Sequence, residues 1–304
     1  MKAMDLIRTL PLKGRVEMDI PMKELTTLRV GGKADCVVFA GSESDVEQIA
    51  LFCADRDVPL TVVGRGSNLL VRDGGLSGVV LLMGKAFADV CVEKNRVYAQ
   101  AGATLGAAAR AAQQAGLAGL EFAEGIPGSV GGGVRMNAGA YGGEMSGVVE
   151  RVRVLQKNGE VIWLDKTQMD FGYRHSAVEK SGAVVLEAVF ALQPDDREAI
   201  AVRMNDYAAR RREKQPLTYP SAGSFFKRPE GYFAGKLIED AGLKGASVGG
   251  AQVSEKHAGF LINTGNASAA DFLQLKDLVQ RTVYEKYGVQ LEPEVRIIGR
   301  DGCF

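Results

Sequence analysis

The sequence predicts a mixed α/β fold, because strand-like apolar runs alternate with segments of helical spacing and two glycine-rich turns occur among them. The first turn follows a strand-like run and reads GRGSN over residues 64–68. The second lies within residues 125–143, of which eight are glycine. Glycine adopts backbone angles that other residues avoid, and successive N–H groups in such turns form concave anion sites. Two such turns suggest a ligand with a pyrophosphate, and the second segment, which has few side chains, is expected to pack no core.

The first half of the chain is predicted to begin with a strand–helix–strand unit. Residues 35–40 form a strand, Ser42 caps a helix, and residues 59–63 form the next strand. The first glycine turn then lies at the carboxyl end of a strand, where α/β proteins commonly bind ligands. Further expected elements are strands over 78–83, 90–100 and 183–192, a helix over 103–115, and a hairpin over 151–164 around Asn158-Gly159.

The second half is predicted to be a smaller region of helices and short strands. A boundary is expected at Pro194-Asp195-Asp196, and Ser268 is expected to cap a long helix that ends at Gly288. The other expected elements are helices over 198–214 and 232–241, a loop over 214–229, and strands over 248–253 and 291–298.

The composition is that of an ordinary globular protein without bulk charge. Of its 304 residues 46% are hydrophobic, and 37 Lys and Arg balance 37 Asp and Glu. This balance argues against nucleic-acid or membrane-surface binding, which normally needs a basic excess. The two histidines lack metal-ligand spacing, so no metal is expected. The four cysteines form no CxxC pair and fit reduced thiols; they are Cys36, Cys53, Cys91 and Cys303.

A cytoplasmic protein without membrane insertion is expected. No apolar stretch approaches the ~18 residues that span a bilayer. Lys2, Asp5 and Arg8 interrupt the N-terminal region, which therefore does not match a signal peptide.

The first glycine turn does not match the common nucleotide-binding fingerprints. A Rossmann turn needs glycine at the position of Leu69, and no Walker A sequence is present. A phosphate-binding turn remains open, and so does a pair of tight turns without a ligand. In the second segment Ser129 and Asn137 add hydrogen-bonding side chains among the glycines, which favours a ligand there.

Six motifs occur in a specific order along the chain. They read GRGSNLL from Gly64, GIPGSVGG from Gly125, MNAGAYG from Met136, FGYRHS from Phe171, AGSFFK from Ala222 and LEPEVR from Leu291. In this order they resemble the UDP-N-acetylenolpyruvoylglucosamine reductases, the MurB enzymes of peptidoglycan synthesis, in their shorter subtype. The resemblance covers residues 26–299. It implies a two-part FAD-binding domain of the PCMH type, residues 1–78 and 79–200, and a smaller α+β substrate-binding domain, residues 201–304.

The resemblance also implies the cofactor and the reaction. NADPH would reduce a non-covalently bound FAD, and hydride would then pass from flavin N5 to the enolpyruvyl group of UDP-N-acetylglucosamine enolpyruvate. The product, UDP-N-acetylmuramate, serves cell-wall biogenesis and thereby cell shape and division. The implied FAD-binding residues are Gly64, Arg65, Gly66, Ser67, Asn68, Leu69, Gly125, Pro127, Gly128, Ser129, Gly131, Gly132, Asn137 and Gly139.

Three catalytic residues follow from the same resemblance. Arg174 matches the arginine that stabilises negative charge developing beside the substrate carboxylate. Ser224 matches the proton donor to carbon, and Glu294 matches the catalytic glutamate, whose protonation state stays open. Glu292 is expected on the same strand face as Glu294, and Glu294 is preferred because it matches the family position.

The substrate diphosphate is expected to meet cations in the C-terminal region. Arg210 and Lys214 are four residues apart on one helix and share a face, although a solvated helix flank is the alternative. Lys236 begins a short helix, and Lys227 follows Ser224 closely enough to assist it if the loop folds back.

Two residues and two other functions remain open. Arg135 departs from the family pattern and either contacts a phosphate or faces solvent, while His257 is expected to be structural. The chain is alternatively another FAD-linked alcohol oxidase or dehydrogenase of the same fold. A non-catalytic nucleotide-sugar binding protein is the second alternative, against which the joint presence of Arg174, Ser224 and Glu294 argues.

Overall fold

The computed structural model describes residues 6–302. The expectations that concern Lys2, Asp5 and Cys303 therefore lie outside the described residues. Within them Cys36 and Cys53 are buried free thiols and Cys91 is an exposed one.

The chain forms short strands throughout. They are β1 Arg15–Pro21, β2 Lys33–Phe39, β3 Leu60–Val63, β4 Leu69–Val71, β5 Leu76–Leu82, β6 Val90–Glu93, β7 Arg96–Gln100, β8 Leu117–Ala118, β9 Gly139–Ala140, β10 Gly143–Glu144, β11 Val149–Leu155, β12 Val161–Asp165, β13 Val184–Ala191, β14 Gln193–Pro194, β15 Ser221–Ser224, β16 Ser247–Val248, β17 Ala251–Val253, β18 Phe260–Asn263 and β19 Arg296–Ile298.

Helices are interspersed with these strands. They are α1 Glu43–Asp55, α2 Leu105–Gln114, α3 Val130–Arg135, α4 Met145–Val148, α5 Ala177–Ser181, α6 Arg197–Lys214, α7 Ala234–Asp240 and α8 Ala269–Tyr287, with short 3-10 turns at Met22–Glu24, Lys85–Phe87 and Glu121–Ala123.

The chain divides into two compact units, and each is discontinuous in sequence. Among the described residues, unit 1 contains 6–18, 36–65 and 78–211, and unit 2 contains 19–35, 66–77 and 212–302. The sequence predicted consecutive domains with the last boundary at residue 200. The observed division falls after residue 211 because Ile200 and Met204 of α6 are buried in the core of unit 1.

Unit 1 is built on sheets whose main elements agree with the sequence prediction. One sheet has the order β1-β2-β5-β3, and another has the order β12-β11-β13-β7-β6. Ser42 caps α1 by accepting from the N–H of Asp45, as its position predicts. The predicted hairpin around Asn158-Gly159 is the β11–β12 pair. The single strand predicted over 90–100 is instead the hairpin of β6 and β7, because Lys94 turns the chain with φ 53°.

The glycine-rich second segment packs into the core of unit 1, so the expectation that it packs no core is wrong. Residues 130–135 form α3, and Val130 and Val134 are fully buried. A Cβ added at Gly131 would lie 2.9 Å from the Cβ of Ala101, and one at Gly133 would lie 3.0 Å from Leu105. These positions therefore require glycine, because the helix packs closely against its neighbours.

Unit 2 has its own sheet and core. The sheet has the order β15-β18-β17-β16, and β4 pairs in parallel with β19. The long helix α8 begins after the Ser268 cap and ends at Gly288 with φ 67°, as predicted. Its residues Phe272, Leu275 and Val279 are buried.

Three sequence predictions in unit 2 need correction. The predicted loop over 214–229 contains β15, and β18 was not predicted. Of the strand predicted over 291–298, only β19 is observed. Before β19, the N–H of Glu294 donates to the carbonyl of Phe225 (2.8 Å), and the N–H of Lys227 donates to the carbonyl of Glu292 (2.8 Å). Residues 292–294 thus lie beside the extension of β15, where Phe226 and Pro293 form an antiparallel bridge. Glu292 and Glu294 flank the bridged Pro293, and their common strand face stays a prediction. The strand predicted over 248–253 is interrupted by a turn between β16 and β17.

Candidate functional site

The structure brings the two predicted glycine segments together at Gly64 and Ser129. A Cβ added at Gly64 would lie 2.1 Å from the Ser129 hydroxyl oxygen, so only glycine permits this approach. Ser129 is 2% exposed and caps α3 by accepting from the N–H of Gly132 at 3.3 Å. Two loops that are far apart in sequence thus form one wall in unit 1.

Beside this contact lies a cleft of about 420 Å³, counted with its open mouth. Its lining combines backbone-rich positions of the glycine segments with apolar side chains of strands. The lining residues are Val62, Gly64, Met83, Ala101, Ser129, Gly131, Gly132, Arg135, Val178, Ala183, Val184 and Val185. Apolar walls with a few polar groups are typical of cofactor sites.

The backbone N–H groups of the two segments differ in availability. Within residues 6–302, the N–H groups of Gly64 and Arg65 have no protein acceptor. In the second segment, by contrast, Val130 donates to Ala103 (2.8 Å) and Gly131 donates to Ala101 (2.9 Å). The first turn therefore offers donors to an anion, whereas those two donors of the second segment are already used.

Four other residues predicted for the cofactor in the second segment lie elsewhere in unit 1. Gly125, Pro127, Gly128 and Gly139 are not among the residues of 6–302 that line the cleft. A Cβ at Gly125 would lie 3.3 Å from the Arg211 side chain, and Gly139 begins β9.

The chain passes from unit 1 to unit 2 within the first turn, after Arg65. A Cβ at Gly66 would lie 2.2 Å from the Leu25 carbonyl oxygen, which requires glycine there. The Asn68 side chain donates to the carbonyl of Glu294 (3.2 Å), and the backbone carbonyl of Asn68 accepts from the N–H of Arg296 (2.9 Å). Ser67 precedes this contact, and Leu69 begins β4. In unit 2 this stretch thus supports the segment that carries Glu294.

Asn137 is predicted to bind the cofactor, and its side chain is buried with protein partners. It donates to the carbonyl of Gly172 (3.0 Å) and accepts from the N–H of Ser146 (2.9 Å). This amide therefore joins the second glycine segment to the motif that contains Arg174.

The three predicted catalytic residues lie on two units. Arg174 belongs to unit 1, in a tight turn with φ 55°. Ser224 ends β15 in unit 2, opposite Phe260 of β18, and Glu294 lies on the segment bonded to Phe225. The structure thus places Ser224 and Glu294 on adjacent segments of one unit.

The predicted substrate cations are mostly paired with acids. Arg210 bridges to Asp206 on α6 (2.8 Å), and Lys227 bridges to Glu292 (3.1 Å). The Asp240 carboxylate raises the pKa of Lys236 through a hydrogen bond and its charge. Lys214 is the exposed last residue of α6.

Sequence reasoning missed two features of unit 1. Arg211 of α6 is 6% exposed, and its Nε is buried without a hydrogen-bond partner. It faces Tyr141, which stacks on Tyr207 at 4.5 Å between ring centroids. The helical pattern offers no signal for this, because the residues that bury Arg211 come from the distant glycine segment.

Both histidines have structural environments. Burial lowers the pKa of His257, whose Nδ1 accepts from the N–H of Gly259 at 3.1 Å and whose ring packs on Phe260. His175 lies 3.2 Å from the carboxylate of Glu179.

Two family models match the chain. An FAD binding domain matches residues 34–165, and the C-terminal domain of UDP-N-acetylenolpyruvoylglucosamine reductase matches residues 215–298.

Known reductases match this chain in sequence over almost their whole length. The UDP-N-acetylenolpyruvoylglucosamine reductase of Clostridium novyi (strain NT) is 53% identical over 95% of this chain and 94% of its own. The chain belongs to this reductase family. The reductase of Limosilactobacillus fermentum is 50% identical over 99% of each chain.

Solved structures agree with the reductase fold. The crystal structure of the reductase (MurB) from Thermus caldophilus matches with a TM-score of 0.80 and 35% identity, over 93% of this chain and 99% of that one. A variant of Phl p 4, a glucose dehydrogenase, matches at 17% identity with a TM-score of 0.50, over 64% of this chain and 44% of that one. At this identity the second match shows the fold alone.

These findings confirm the predicted family and fold class. The protein is an FAD-binding reductase with a mixed α/β FAD-binding domain and the C-terminal domain of this family. Within the described part of the chain, no helix is long and apolar enough to cross a membrane, and no cluster of metal-ligating side chains occurs.

Proposed function

We propose that this reductase uses NADPH to reduce UDP-N-acetylglucosamine enolpyruvate to UDP-N-acetylmuramate. The observation that supports it most is the approach of Gly64 to Ser129 beside the cleft of unit 1, next to two N–H groups without protein acceptors. A pyrophosphate needs such backbone donors at short range. Together with the family match, this favours a flavin dinucleotide in the cleft.

The residues of the cleft fit the parts of FAD. We propose that the Gly64 turn, with Arg65, Ser67 and the Ser129 region, contacts the pyrophosphate, and that the apolar lining contacts the rings. The chemistry that bound FAD would supply is hydride transfer, from NADPH to the terminal carbon of the enolpyruvyl group. The glycines themselves contribute close backbone approach and no chemistry.

Arg174 is proposed to stabilise the charge that this delivery creates. Hydride addition to the terminal carbon leaves negative charge on the neighbouring carbon, which spreads into the attached carboxylate. A guanidinium presents paired donors that match a carboxylate, so it lowers the energy of this charged state.

Ser224 is proposed to supply the proton that completes the reaction. Its hydroxyl would donate to the carbon beside the carboxylate, because that carbon becomes strongly basic. Glu294 lies on the neighbouring segment and is proposed either to orient Arg174 or water, or to act in its protonated form.

The substrate diphosphate is proposed to bind basic side chains of α6 and the C-terminal region. Arg210, Lys227 and Lys236 pair with acids in the free protein, so binding would exchange one partner for another. Lys214 is the fourth proposed contact.

The cytoplasmic location expected from the sequence remains a proposal as well.

A two-step optical experiment tests this function. The purified protein should be yellow, lose its flavin band on adding NADPH under nitrogen, and regain it on adding UDP-N-acetylglucosamine enolpyruvate. A colourless protein that does not take up FAD would contradict the proposal.

The Ser224→Ala variant tests the assignment of the proton donor. Flavin reduction by NADPH should proceed at the wild-type rate, since it needs no proton on substrate carbon, while reoxidation by the UDP-sugar should be severely slowed. Stopped-flow absorbance measures both steps. An equal loss in both would make Ser224 structural.

A further inference from the structure

The turn that carries Arg174 has an unusual backbone. Gly172 and His175 close it by exchanging two backbone hydrogen bonds of 3.1 and 3.2 Å. Between them Arg174 has φ 55°, in the left-handed region that non-glycine residues seldom occupy. Such a conformation is strained and persists only where the surroundings determine it.

Two buried polar side chains supply those surroundings. Asn137 donates its Nδ2 to the carbonyl of Gly172 at 3.0 Å, and the Ser176 hydroxyl donates to the carbonyl of Arg135 at 2.9 Å. Asn137 is 1% exposed and Ser176 is 0% exposed. Ser176 also occupies the N-cap position of α5, yet its side chain makes no capping bond there. Its hydroxyl is used for the tie to Arg135 instead.

The tie from Ser176 ends at the wall of the cleft, and the tie from Asn137 starts two residues beyond it. Arg135 is a lining residue and the last residue of α3, the helix that contains Gly131 and Gly132. Asn137 follows two residues later and is fixed by its second bond, to Ser146. The Arg174 turn is therefore joined on both sides to the helix that forms the cleft.

We infer that Asn137 and Ser176 are positioning residues that hold the Arg174 turn against the flavin cleft. The inference rests on the proposed role of Arg174. A guanidinium fork recognises a carboxylate only in a defined orientation, and a displacement of about 1 Å can slow catalysis about 100-fold. Asn137 has both amide atoms engaged by the protein, so it acts on the reaction through the turn.

The Asn137→Asp variant isolates the tie to Gly172. Aspartate tolerates the left-handed backbone of this position, φ 42°, and keeps an oxygen for the N–H of Ser146, but its carboxylate cannot donate to Gly172. We expect flavin reoxidation by the UDP-sugar to slow by about 10–100-fold. In protein saturated with FAD, flavin reduction by NADPH should stay within about twofold of the wild type.

Three further variants distinguish a positioning role for Asn137 and Ser176 from a general loss of protein stability. In an Arg174→Ala background Asn137→Asp should add nothing, because the group that it orients is gone. Ser176→Ala should slow the same half-reaction, and its effect should combine non-additively with Asn137→Asp. Asp45→Asn, which weakens hydrogen bonds of a buried carboxylate in unit 1 that is not a cleft residue, should lower stability without changing either half-reaction.

A readout that needs no turnover comes from amide hydrogen exchange of the FAD-free protein. The N–H of His175 donates within the turn, so Asn137→Asp should speed its exchange by about tenfold or more, whereas Asp45→Asn should not. Unchanged exchange at His175 in Asn137→Asp would overturn the inference.

The outcomes distinguish this inference from the proposed function. If Arg174→Ala leaves reoxidation unaffected, the proposed role of Arg174 fails. If Arg174→Ala slows reoxidation and Asn137→Asp does not, the proposed function stands and the positioning role is wrong. An equal slowing of both half-reactions in Asn137→Asp also contradicts positioning.

Discussion

At the scale of single residues, the site depends on the absence of a side chain at Gly64. Gly64 has no Cβ, and the space a Cβ would occupy is taken by the Ser129 hydroxyl. Sequence analysis predicted that both glycine segments serve one ligand, but which glycine is required by close approach was visible only in the structure. The reason is that the partner of Gly64 lies in a loop far along the chain.

The Gly64→Ala variant should lose FAD. The added methyl group would push Ser129 away from the turn, and overpacking of this kind costs about 1–3 kcal/mol. We expect a lower ratio of flavin to protein absorbance after purification. Gly147→Ala is the matched control, because a Cβ there meets nothing within 4 Å, and it should retain FAD. Equal retention by both variants would show that the approach to Ser129 is unimportant.

Asp45 illustrates a buried charge with a structural function. Burial raises the pKa of its carboxyl, but hydrogen bonds from the N–H groups of Lys13, Gly41 and Gly14 and from the Ser42 hydroxyl together outweigh this, so the pKa lies below the ordinary 3.8. A pKa lower in the folded state means that the ionised group stabilises the fold above the ordinary pKa. This stabilisation is lost as the pH falls through the lower folded value.

The Asp45→Asn variant should therefore lose part of the acid dependence of stability. Its deficit in the free energy of unfolding against the wild type should be constant above about pH 5 and shrink below about pH 4. Urea unfolding at pH values from below about pH 4 up to neutrality measures this deficit. A deficit that stays constant into the acid range would contradict the role of the ionised carboxylate.

At the scale of elements, the ends of α8 show which structural features depend only on residues nearby in the sequence. Ser268 and Gly288 bound α8 as predicted, because a cap involves residues within one turn. The same helix start receives a second cap that the sequence did not predict. The Asp73 carboxylate accepts from the N–H groups of Ala269 and Ala270, both at 2.9 Å.

The Asp73→Ala variant should destabilise unit 2. Removing an acceptor of helix N-terminal N–H groups costs about 0.5–2 kcal/mol. Thermal unfolding followed by circular dichroism measures this loss. Asp277→Ala, on the exposed face of the same helix, should change stability by no more than about 0.5 kcal/mol. A similar loss in both variants would show that the charge near α8, and not the cap, matters.

At the scale of the whole molecule, two hydrophobic cores of the described residues correspond to the two units, and the second combines segments that are far apart in the chain. The core of unit 2 includes Leu28, Val30 and Leu70 beside residues of the C-terminal region. Asn263 donates to the carbonyl of Leu28 at 3.2 Å. A family model that begins at residue 215 therefore describes only part of a folding unit.

A fragment of residues 212–304 should not fold cooperatively. It lacks three core residues from residues 19–35 and 66–77 and the strand β4 that pairs with β19. We expect no sigmoidal thermal transition by circular dichroism. A fusion that restores residues 19–35 and 66–77 through flexible linkers should regain one. Cooperative unfolding of the short fragment would contradict the discontinuous unit.

The sequence by itself determined the features that depend on neighbours along the chain: the caps at Ser42 and Ser268, the Asn158-Gly159 hairpin, the main helices, and the ordered motifs by which the reductase family was predicted. Only the tertiary structure decided that Gly64 meets Ser129, that α3 is packed into a core, and that Asn137 supports the Arg174 turn. Capping and periodicity act within a few residues, whereas these contacts join segments tens of residues apart, and only packing selects among them.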